Sequence, residues 1–229
     1  MDFSFLSRTI LFRGTTPAEI EEMLGCLGAT TRHFAKGETI YRAGDTVRCM
    51  GLVLGGSVHI ESDDLWGNKS VLSHIAPGQI FAETYASLPG EPLMVNVVAA
   101  QAAEILFLDT SRVLQTCPAA CPHHAKLLRN LLAVMAQKNL NLSHRMFHTA
   151  PKSIRGRLIA YLSFEATRQG SYRVTVPFNR QQLADYLNVD RSALSAELGK
   201  MQRDGLLRVE KNTFELYQGR DAQGRQKNI

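Results

Sequence analysis

The sequence predicts an α+β fold in three parts: a jelly-roll-like β-roll, a long helix and a C-terminal winged helix-turn-helix. Three observations predict this fold. Short apolar stretches alternate with glycines up to about residue 108, a stripe with heptad spacing follows Pro122, and two short amphipathic patterns flank a four-residue break within residues 179–207. The 229 residues, of which 45% are hydrophobic, suffice for packed cores. The domains are expected at residues 1–121, 122–148 and 149–229.

The first part is predicted to be antiparallel sheet. From residue 33 to about 108, stretches such as "MGLVLGGSVHIES" and "AEILFLD" are rich in Val, Ile, Leu and Phe. Glycines punctuate them at positions 37, 44, 55, 56, 67 and 78. Short strands with such punctuation favour a small closed barrel or roll.

The long helix carries a stripe of residues that predicts a dimer. This stripe, called the seam below, consists of Leu128, Leu132, Met135, Asn139, Leu142 and Met146. Its spacing is that of a two-stranded coiled coil, although such a stripe can also pack only on the chain's own barrel. Asn139 favours the dimer, because an asparagine at a seam position is costly in a core but can pair with its symmetry mate and fix the register. We therefore expect a homodimer.

Pro151 predicts the end of the long helix. Proline disfavours helical geometry at the preceding Ala150 and fits the first turn of the helix that follows. The boundary of the C-terminal domain is therefore expected near residues 147–151.

The stretch "NRQQLADYLNVDRSALSAELGKMQRDGLL" has the spacing of a helix-turn-helix. Asn179 and Gln182 predict a capping box at the start of the first helix. Asn188 stands where the turn needs a left-handed residue, and Asp190 is suited to cap the second helix. Leu183, Ala184, Leu187, Leu194, Leu198 and Met201 form the predicted inner face.

The second of these helices is predicted to read DNA. It exposes Arg191, Ser192, Ser195 and Ala196 near its N-terminal end, where such a helix meets base edges in the major groove. An arginine can bond guanine O6 and N7 together, and serines can bond bases or phosphates. The predicted DNA-contacting residues are Arg180, Gln181, Arg191, Ser192, Ser195 and Lys200.

Two further features support a DNA partner. The segment "GLLRVEKNTFELY" predicts two strands around Lys211 and Asn212, which would form a wing. Residues 150–229 contain 14 lysines and arginines against 8 acidic residues, a balance of +6, whereas residues 1–149 contain 12 against 13. A small basic domain beside a nearly neutral one suits a polyanion, because phosphate contacts supply most sequence-independent affinity.

Residues 20–217 resemble the bacterial regulator family that includes the cyclic-AMP receptor protein and the fumarate–nitrate reduction regulator. The similar segments are "FAKGETIYRAGD", "LGGSV", "PGQIFAE", the seam helix and "NRQQLADYLNVDRSALS". The resemblance implies a β-roll of the cyclic-nucleotide-binding type, a dimerising helix and a winged helix placed on DNA by an effector. It also implies that RNA polymerase is a partner.

By the same resemblance, an effector pocket is expected at Phe81, Ala82, Glu83, Leu93, Met94 and Asn96. In the cyclic-AMP branch an arginine and a serine follow the glutamate that matches Glu83, but here Leu93 and Met94 stand in their places. Residues 70–111 contain no Lys or Arg, so a cyclic phosphate would forgo charge-assisted bonds worth roughly 1.5–3 kcal/mol each. Cyclic AMP is therefore disfavoured.

An iron–sulfur cluster is disfavoured as well, because the only early cysteines, Cys26 and Cys49, are 23 residues apart in the sequence. Haem or a small uncharged ligand remains as the alternative effector. In the recognition helix, Ser192 and Ala196 stand where these branches have a glutamate and a later arginine, whereas Arg191 matches them. We therefore expect a palindromic site whose sequence differs from theirs.

One cluster of chemically reactive residues keeps another interpretation open. Cys117, Cys121, His123 and His124 lie close together in the sequence at the start of the long helix, where they could bind haem or a metal, or form a redox-switched thiol pair. In the other interpretation, the cysteines are small buried hydrophobes and the histidines cap the helix or face solvent.

The sequence does not support an enzyme. It has no phosphate-binding glycine loop, no His-Glu-x-x-His and no Gly-x-Ser-x-Gly, and Glu83 as a general base has no cationic or nucleophilic partner in its segment. No apolar run approaches the roughly 18 residues of a membrane span, and the N-terminal segment lacks the features of a secretory signal. A cytoplasmic protein without a membrane partner is expected.

Overall fold

The computed structural model describes residues 1–64, 66–115 and 122–217. The helices are α1 (Phe3–Arg8), α2 (Pro17–Cys26), α3 (Glu83–Ala86), α4 (Thr110–Leu114), α5 (Pro122–Thr149), α6 (Ile154–Gln169), α7 (Arg180–Leu187) and α8 (Arg191–Arg203). The strands are β1 (Thr30–Phe34), β2 (Thr39–Tyr41), β3 (Cys49–Gly55), β4 (Val58–Asp63), β5 (Lys69–Ile75), β6 (Ile80–Phe81), β7 (Asn96–Ala99), β8 (Ala103–Asp109), β9 (Arg173–Thr175), β10 (Leu207–Glu210) and β11 (Thr213–Leu216). The α+β prediction is confirmed.

The chain forms two compact units, Met1–Gln137 and Lys138–Ile229. The division falls inside α5, so the first four turns of this helix belong to the N-terminal unit and its last three turns to the C-terminal unit. In the part of the chain that the structure describes, no helix is long and apolar enough to cross a membrane.

The N-terminal unit is built on a β-roll of two antiparallel sheets. Their strand orders are β1-β8-β3-β6 and β2-β7-β4-β5, and each brings strands distant in sequence side by side. Large apolar side chains, including Met50, Leu52, Ile105 and Leu106, are fully buried in this unit. Gly56 makes the β3–β4 connection, because it has φ +73° and a Cβ there would lie 2.1 Å from the carbonyl oxygen of Ala102. The predicted roll of short antiparallel strands is confirmed.

Helices α1 and α2 precede the roll and were not predicted. Helix α2 begins with a capping box, in which the Thr16 hydroxyl accepts from Glu19 N and the Glu19 carboxylate accepts from Thr16 N at 2.8 Å. Pro17 occupies the first helical position, which suits its fixed φ. Ile20 and Met23 then enter the core of the unit.

The first half of α5 packs on this core. Leu127 and Leu131 are buried, and the Asn130 side-chain amide donates to the carbonyls of Leu11 and Arg13 at 3.0 and 2.8 Å. Lys126 adds a bond from its ammonium to the Gly14 carbonyl at 3.0 Å. One face of the helix is thereby anchored to the connection between α1 and α2.

The segment after α5 confirms one prediction from the sequence and contradicts another. The helix ends at Thr149, as expected for a chain in which Pro151 disfavours helical geometry at Ala150. However, Pro151 does not lie in the first turn of α6, because the Ser153 hydroxyl caps that helix by accepting from Gly156 N. A serine cap two residues downstream therefore sets the start of α6.

The C-terminal unit packs α6, α7 and α8 against a three-stranded sheet of order β10-β11-β9. Strands β10 and β11 confirm the predicted wing hairpin, and Lys211 turns it with φ 55°. Strand β9 completes the sheet and was not predicted. All six residues of the predicted inner face of the helix-turn-helix are buried in one core with Leu158, Tyr161 and Phe214.

Candidate nucleic-acid interface

Helix α7 begins with the predicted capping box. The Asn179 side chain accepts from Gln182 N at 2.9 Å, and the Gln182 side chain accepts from Asn179 N at 2.9 Å. Two backbone donors that would otherwise be unpaired are satisfied reciprocally, which fixes where α7 starts.

The turn into α8 also has the predicted geometry. Asn188 is left-handed, with φ 54° and ψ 55°, and the Asp190 carboxylate accepts from Ala193 N at 2.9 Å as the cap of α8. The Ser192 hydroxyl also donates to Asp190, and this bond is the largest of the influences that hold the pKa of Asp190 below its usual range. An ionised cap thus lies at the positive end of the helix.

The N-terminal part of α8 presents the predicted reading face to solvent. Arg191, Ser192, Ser195 and Ala196 are exposed, while the opposite face of the helix is in the core. The Ser195 hydroxyl donates to the Arg191 carbonyl at 2.9 Å. Of these side chains, Arg191 is the long cation that can extend from the helix end toward a base edge.

Helix α8 is held against α6 by a pair of ionic contacts. Arg155 places Nε 2.6 Å from Glu197 Oε1 and Nη2 2.7 Å from Asp204 Oδ2. Lys200 lies near the same Glu197 carboxylate, with Nζ 3.7 Å from Oε2, and its side chain remains exposed.

The two predicted residues at the start of α7 differ from each other in their surroundings. The Arg180 guanidinium lies 5.7 Å from the centre of the Phe214 ring and near the Lys211 carbonyl, and burial lowers its pKa. Gln181 is exposed and donates to Asp185 at 2.8 Å. The structure thus directs Arg180 toward the wing.

A cleft of about 530 Å³ lies between the start of α7 and the tip of the wing. Arg180 and Lys211 are its two cationic lining residues, and Asn179 and Asn212 contribute amides. Lys211 is predicted from the sequence to lie in the wing but is not among the predicted DNA contacts. Its position between two apolar strands, at the tip of the predicted hairpin, is the signal that could have identified it.

The seam residues are mostly exposed in the single chain. Leu132, Leu142 and Met146 have relative exposures of 66%, 68% and 71%, and Leu128 and Asn139 are exposed as well. Only Met135 among them is partly buried and packs on the N-terminal core. Within the N-terminal unit, Leu128 and Leu132 therefore leave their side chains exposed, whereas Met135 packs on the core.

The residues predicted for the effector pocket have unlike surroundings. Phe81, Glu83 and Leu93 are buried, and Ala82 is left-handed with φ 59°. The Asn96 side chain joins Ala43 N and Asp63 Oδ2, at 2.9 and 3.1 Å. Met94 is 77% exposed, so the structure does not bring all six residues into one enclosed site.

The cysteine and histidine cluster is described only in part. Cys117 and Cys121 lie outside the described residues. His123 places Nδ1 3.3 Å from Glu19 Oε1, and His124 is buried. Across residues 1–64, 66–115 and 122–217, no group of three or more histidine, cysteine or acidic side chains is placed to hold a metal ion.

Comparison with known proteins identifies both units. The cyclic nucleotide-binding domain family matches residues 31–119, and the Crp-like helix-turn-helix domain family matches residues 156–218. The chain belongs to the cyclic-AMP receptor protein and fumarate–nitrate reduction regulator family. The helix-turn-helix of this family implies that the chain binds DNA, and family members are transcription regulators rather than enzymes.

Individual relatives support the assignment over most of the chain. A Thermus thermophilus protein named "Cyclic AMP receptor protein" is 26% identical over 209 residues, which cover 90% of this chain and 91% of the relative. The "Transcriptional regulator LdrP" of the same species is 29% identical over 185 residues, covering 77% of this chain and 86% of the relative.

A solved structure agrees in fold. The regulator CLP of Xanthomonas campestris, described as c-di-GMP responsive, has a TM-score of 0.52 and 20% identity, covering 87% of this chain and 98% of that one. At 20% identity this likeness shows the fold alone. The residues of the present chain that would read DNA or bind an effector are therefore inferred from the structure of this chain.

Proposed function

We propose that this family member is an effector-responsive regulator that binds palindromic promoter sites as a homodimer. The observation that carries the proposal is the exposed N-terminal face of α8, with Arg191 at its end, in the same compact unit as three exposed seam residues. A symmetric dimer would present two such faces, and two recognition helices about 34 Å apart read half-sites one turn apart.

In this proposal the cations of the helix-turn-helix and the wing divide into two groups. Arg191 reads a base, because it projects from the helix end that enters the major groove. Arg180 and Lys200 contact phosphate, with Lys211 of the wing as a third candidate. Phosphate contacts fix the position on the duplex, and base contacts carry the sequence preference.

The dimer forms through the seam of α5. Apolar side chains of the size of Leu132, Leu142 and Met146 would each contribute about 1.5–3 kcal/mol when fully removed from water. Asn139 lies exposed on the same stripe, where it can meet its symmetry mate. RNA polymerase is proposed as a further partner on the basis of family membership.

The effector is proposed to be uncharged or apolar rather than a cyclic nucleotide. The name of one relative refers to cyclic AMP. In this chain, however, residues 70–111 contain no Lys or Arg, and Leu93 is buried in the core of the N-terminal unit. An apolar ligand suits such surroundings better than an anionic phosphate.

Selection from random duplexes with the full chain tests the proposed reading of DNA. The wild-type protein should enrich an inverted repeat. Arg191→Ala should cost about 1–3 kcal/mol on that repeat and relax the preference at one base pair per half-site. Lys200→Ala serves as the matched control, since it should weaken all sequences alike and reduce the salt slope by about 1.

Two results would contradict the proposal. If the wild-type chain enriches no inverted repeat, either alone or with any effector tried, the palindromic homodimer fails. If Arg191→Ala enriches the same motif with undiminished preference, Arg191 does not read the base.

A further inference from the structure

The turn between α7 and α8 leaves several backbone carbonyls to be satisfied from outside the motif. The last carbonyls of a helix have no intrahelical partner, and here the chain reverses at once through the left-handed Asn188. Two arginines from other helices of the same unit donate to four consecutive carbonyls, those of Asp185, Tyr186, Leu187 and Asn188.

Arg145 supplies the contacts from α5. Its Nε donates to the Tyr186 carbonyl at 3.2 Å and its Nη2 to the Asp185 carbonyl at 3.1 Å. The guanidinium also lies 6.0 Å from the centre of the Tyr186 ring. The planar fork of an arginine suits two adjacent acceptors, and a cation at a helix C-terminus complements the helix dipole.

Arg157 supplies the contacts from α6. Its Nη1 donates to the carbonyls of Leu187 and Asn188 at 3.0 and 2.8 Å, while its Nε donates to the Pro151 carbonyl at 2.9 Å. Arg157 therefore joins the turn to the segment that leads into its own helix, whereas Arg145 joins the turn to α5.

Arg145 lies on the last three turns of α5, which also carry the last three residues of the seam. Asn139, Leu142 and Met146 belong to the C-terminal unit together with Arg145, α7 and α8. A second connection comes one turn after Arg145, where His148 Nδ1 lies 2.9 Å from the Tyr186 hydroxyl oxygen. Side-chain contacts thus join the last three turns of α5 to the end of α7, which leads directly into α8, within one compact unit.

We propose that Arg145 is a positioning residue for DNA recognition, which ties the orientation of α8 to the seam-bearing end of α5. The inference rests on the proposed function, because only a dimer through the seam makes that orientation matter for the spacing of two half-sites. Arg145 acts through the backbone of the turn and itself contacts neither base nor phosphate.

This role differs from the two other roles that an arginine in a basic domain can have. A phosphate contact would weaken all sequences and lower the salt slope when removed. A residue that only stabilises the fold would change the free energy of unfolding without changing the preference of the folded protein. A positioning residue lowers the ratio of cognate to non-specific affinity at an unchanged salt slope.

The test uses the full chain with Arg145→Gln, Arg145→Lys and the matched control Arg203→Gln, which removes the same charge from the far end of α8. Affinities for the selected inverted repeat and for a scrambled duplex are measured over a range of salt concentrations. Arg145→Gln should lower the cognate-to-scrambled ratio by about tenfold, as expected for the loss of a charge-assisted contact. Arg203→Gln should leave the ratio unchanged.

Arg145→Lys distinguishes the effect of the positive charge from that of the arginine's hydrogen-bond geometry. The lysine keeps the charge but concentrates its donors on one nitrogen, so it should restore the cognate-to-scrambled ratio only in part, and the salt slope should stay unchanged as in Arg145→Gln. Hydrogen exchange of the free protein provides a readout that needs no DNA, and amides 188–193 should exchange faster in Arg145→Gln than in wild type.

The outcomes are distinguishable. A wild-type chain that selects no inverted repeat overturns the proposed function, whatever the exchange data show. A wild-type chain that does select one, with an Arg145→Gln variant that keeps its preference or loses salt slope, overturns the positioning role alone.

Discussion

His148 is the buried titratable residue at the contact between α5 and the helix-turn-helix. Its side chain is surrounded by Tyr161 and Phe164 of α6 and by Tyr186 of α7, and the residue is only 1% exposed. Burial holds the pKa of His148 below its usual range, the nearby His144 adds to this effect, and Glu165 opposes it. The neutral ring is therefore the form that packs there.

The stability of the protein should depend on pH through this residue. Because the pKa of His148 is lower in the folded than in the unfolded state, its contribution is present above about pH 6.5, the unfolded value, and is lost as the pH falls through the folded one. His148→Gln should be less stable at pH 7 but should lose less stability on acidification. Urea unfolding at pH 7 and pH 5.5 measures both, and equal losses in the two proteins would contradict the assignment.

At the scale of residues, the roles that depend on neighbours in the sequence could be predicted. Asn179, Asn188 and Asp190 have local roles, since each bonds or turns a backbone within a few residues of itself. The roles of Arg145 and Arg157 could not be predicted in this way. Their acceptors in the turn lie 30 to 41 positions further along the chain, and only the folded arrangement of α5, α6 and α7 brings them together.

At the scale of elements, α5 carries two distinct apolar stripes. Leu127 and Leu131 are buried in the N-terminal core, whereas Leu128 and Leu132, one position further on, are exposed. An amphipathic helix normally buries one stripe and exposes polar residues elsewhere. A second, exposed apolar stripe with coiled-coil spacing therefore supports the proposed partner helix.

The proposed seam predicts which exposed leucine of α5 is needed for dimerisation. Leu132→Asp should convert dimers to monomers in sedimentation, because two buried carboxylates would face each other across the proposed interface. Leu140→Asp is the matched control, since Leu140 is exposed on the same helix but off the seam, and it should remain dimeric. A Leu132→Asp variant that stays dimeric would contradict the seam, as would a Leu140→Asp variant that dissociates equally.

The elements themselves were predictable where a pattern was long or repeated. Helix α5 and the alternating strands gave such patterns, and the wing had two strands around a turn. Helices α1 and α2 went unpredicted although Thr16, Pro17 and Glu19 form an N-terminal signature. Strand β9 has only three residues, and its partner β11 lies about 40 positions later, so its pairing depends on tertiary structure.

At the scale of the whole molecule, the charge is distributed unevenly between the two parts of the sequence. The balance of +6 in residues 150–229 belongs to the DNA-binding part, and residues 1–149 are close to neutral. Within the β-roll, the fold class was predictable from the sequence, but the arrangement of the residues proposed for the effector pocket was not. Leu93 and Met94 are adjacent in sequence, yet one is buried and the other exposed.

The whole protein should not bind cyclic AMP tightly. Without a Lys or Arg in residues 70–111, the phosphate would lose its hydration without gaining bonds from a permanently charged side chain there. Calorimetry with the full chain should detect no binding with a Kd of about 10 μM or below, roughly −7 kcal/mol. Duplex binding by the same preparation shows that the protein is competent, and micromolar binding that also raises the affinity for DNA would overturn the prediction.

The pair of arginines on the α7–α8 turn has a consequence for modularity. A swap of residues 179–203 into another scaffold would transfer the reading face but leave behind both guanidinium groups that satisfy the turn carbonyls. A fragment cut at Pro151 would likewise lose Arg145 and His148. The smallest DNA-binding fragment that keeps these contacts therefore begins near Lys138, in the middle of α5. A chimera joined there has to keep the heptad phase of α5 continuous across the junction.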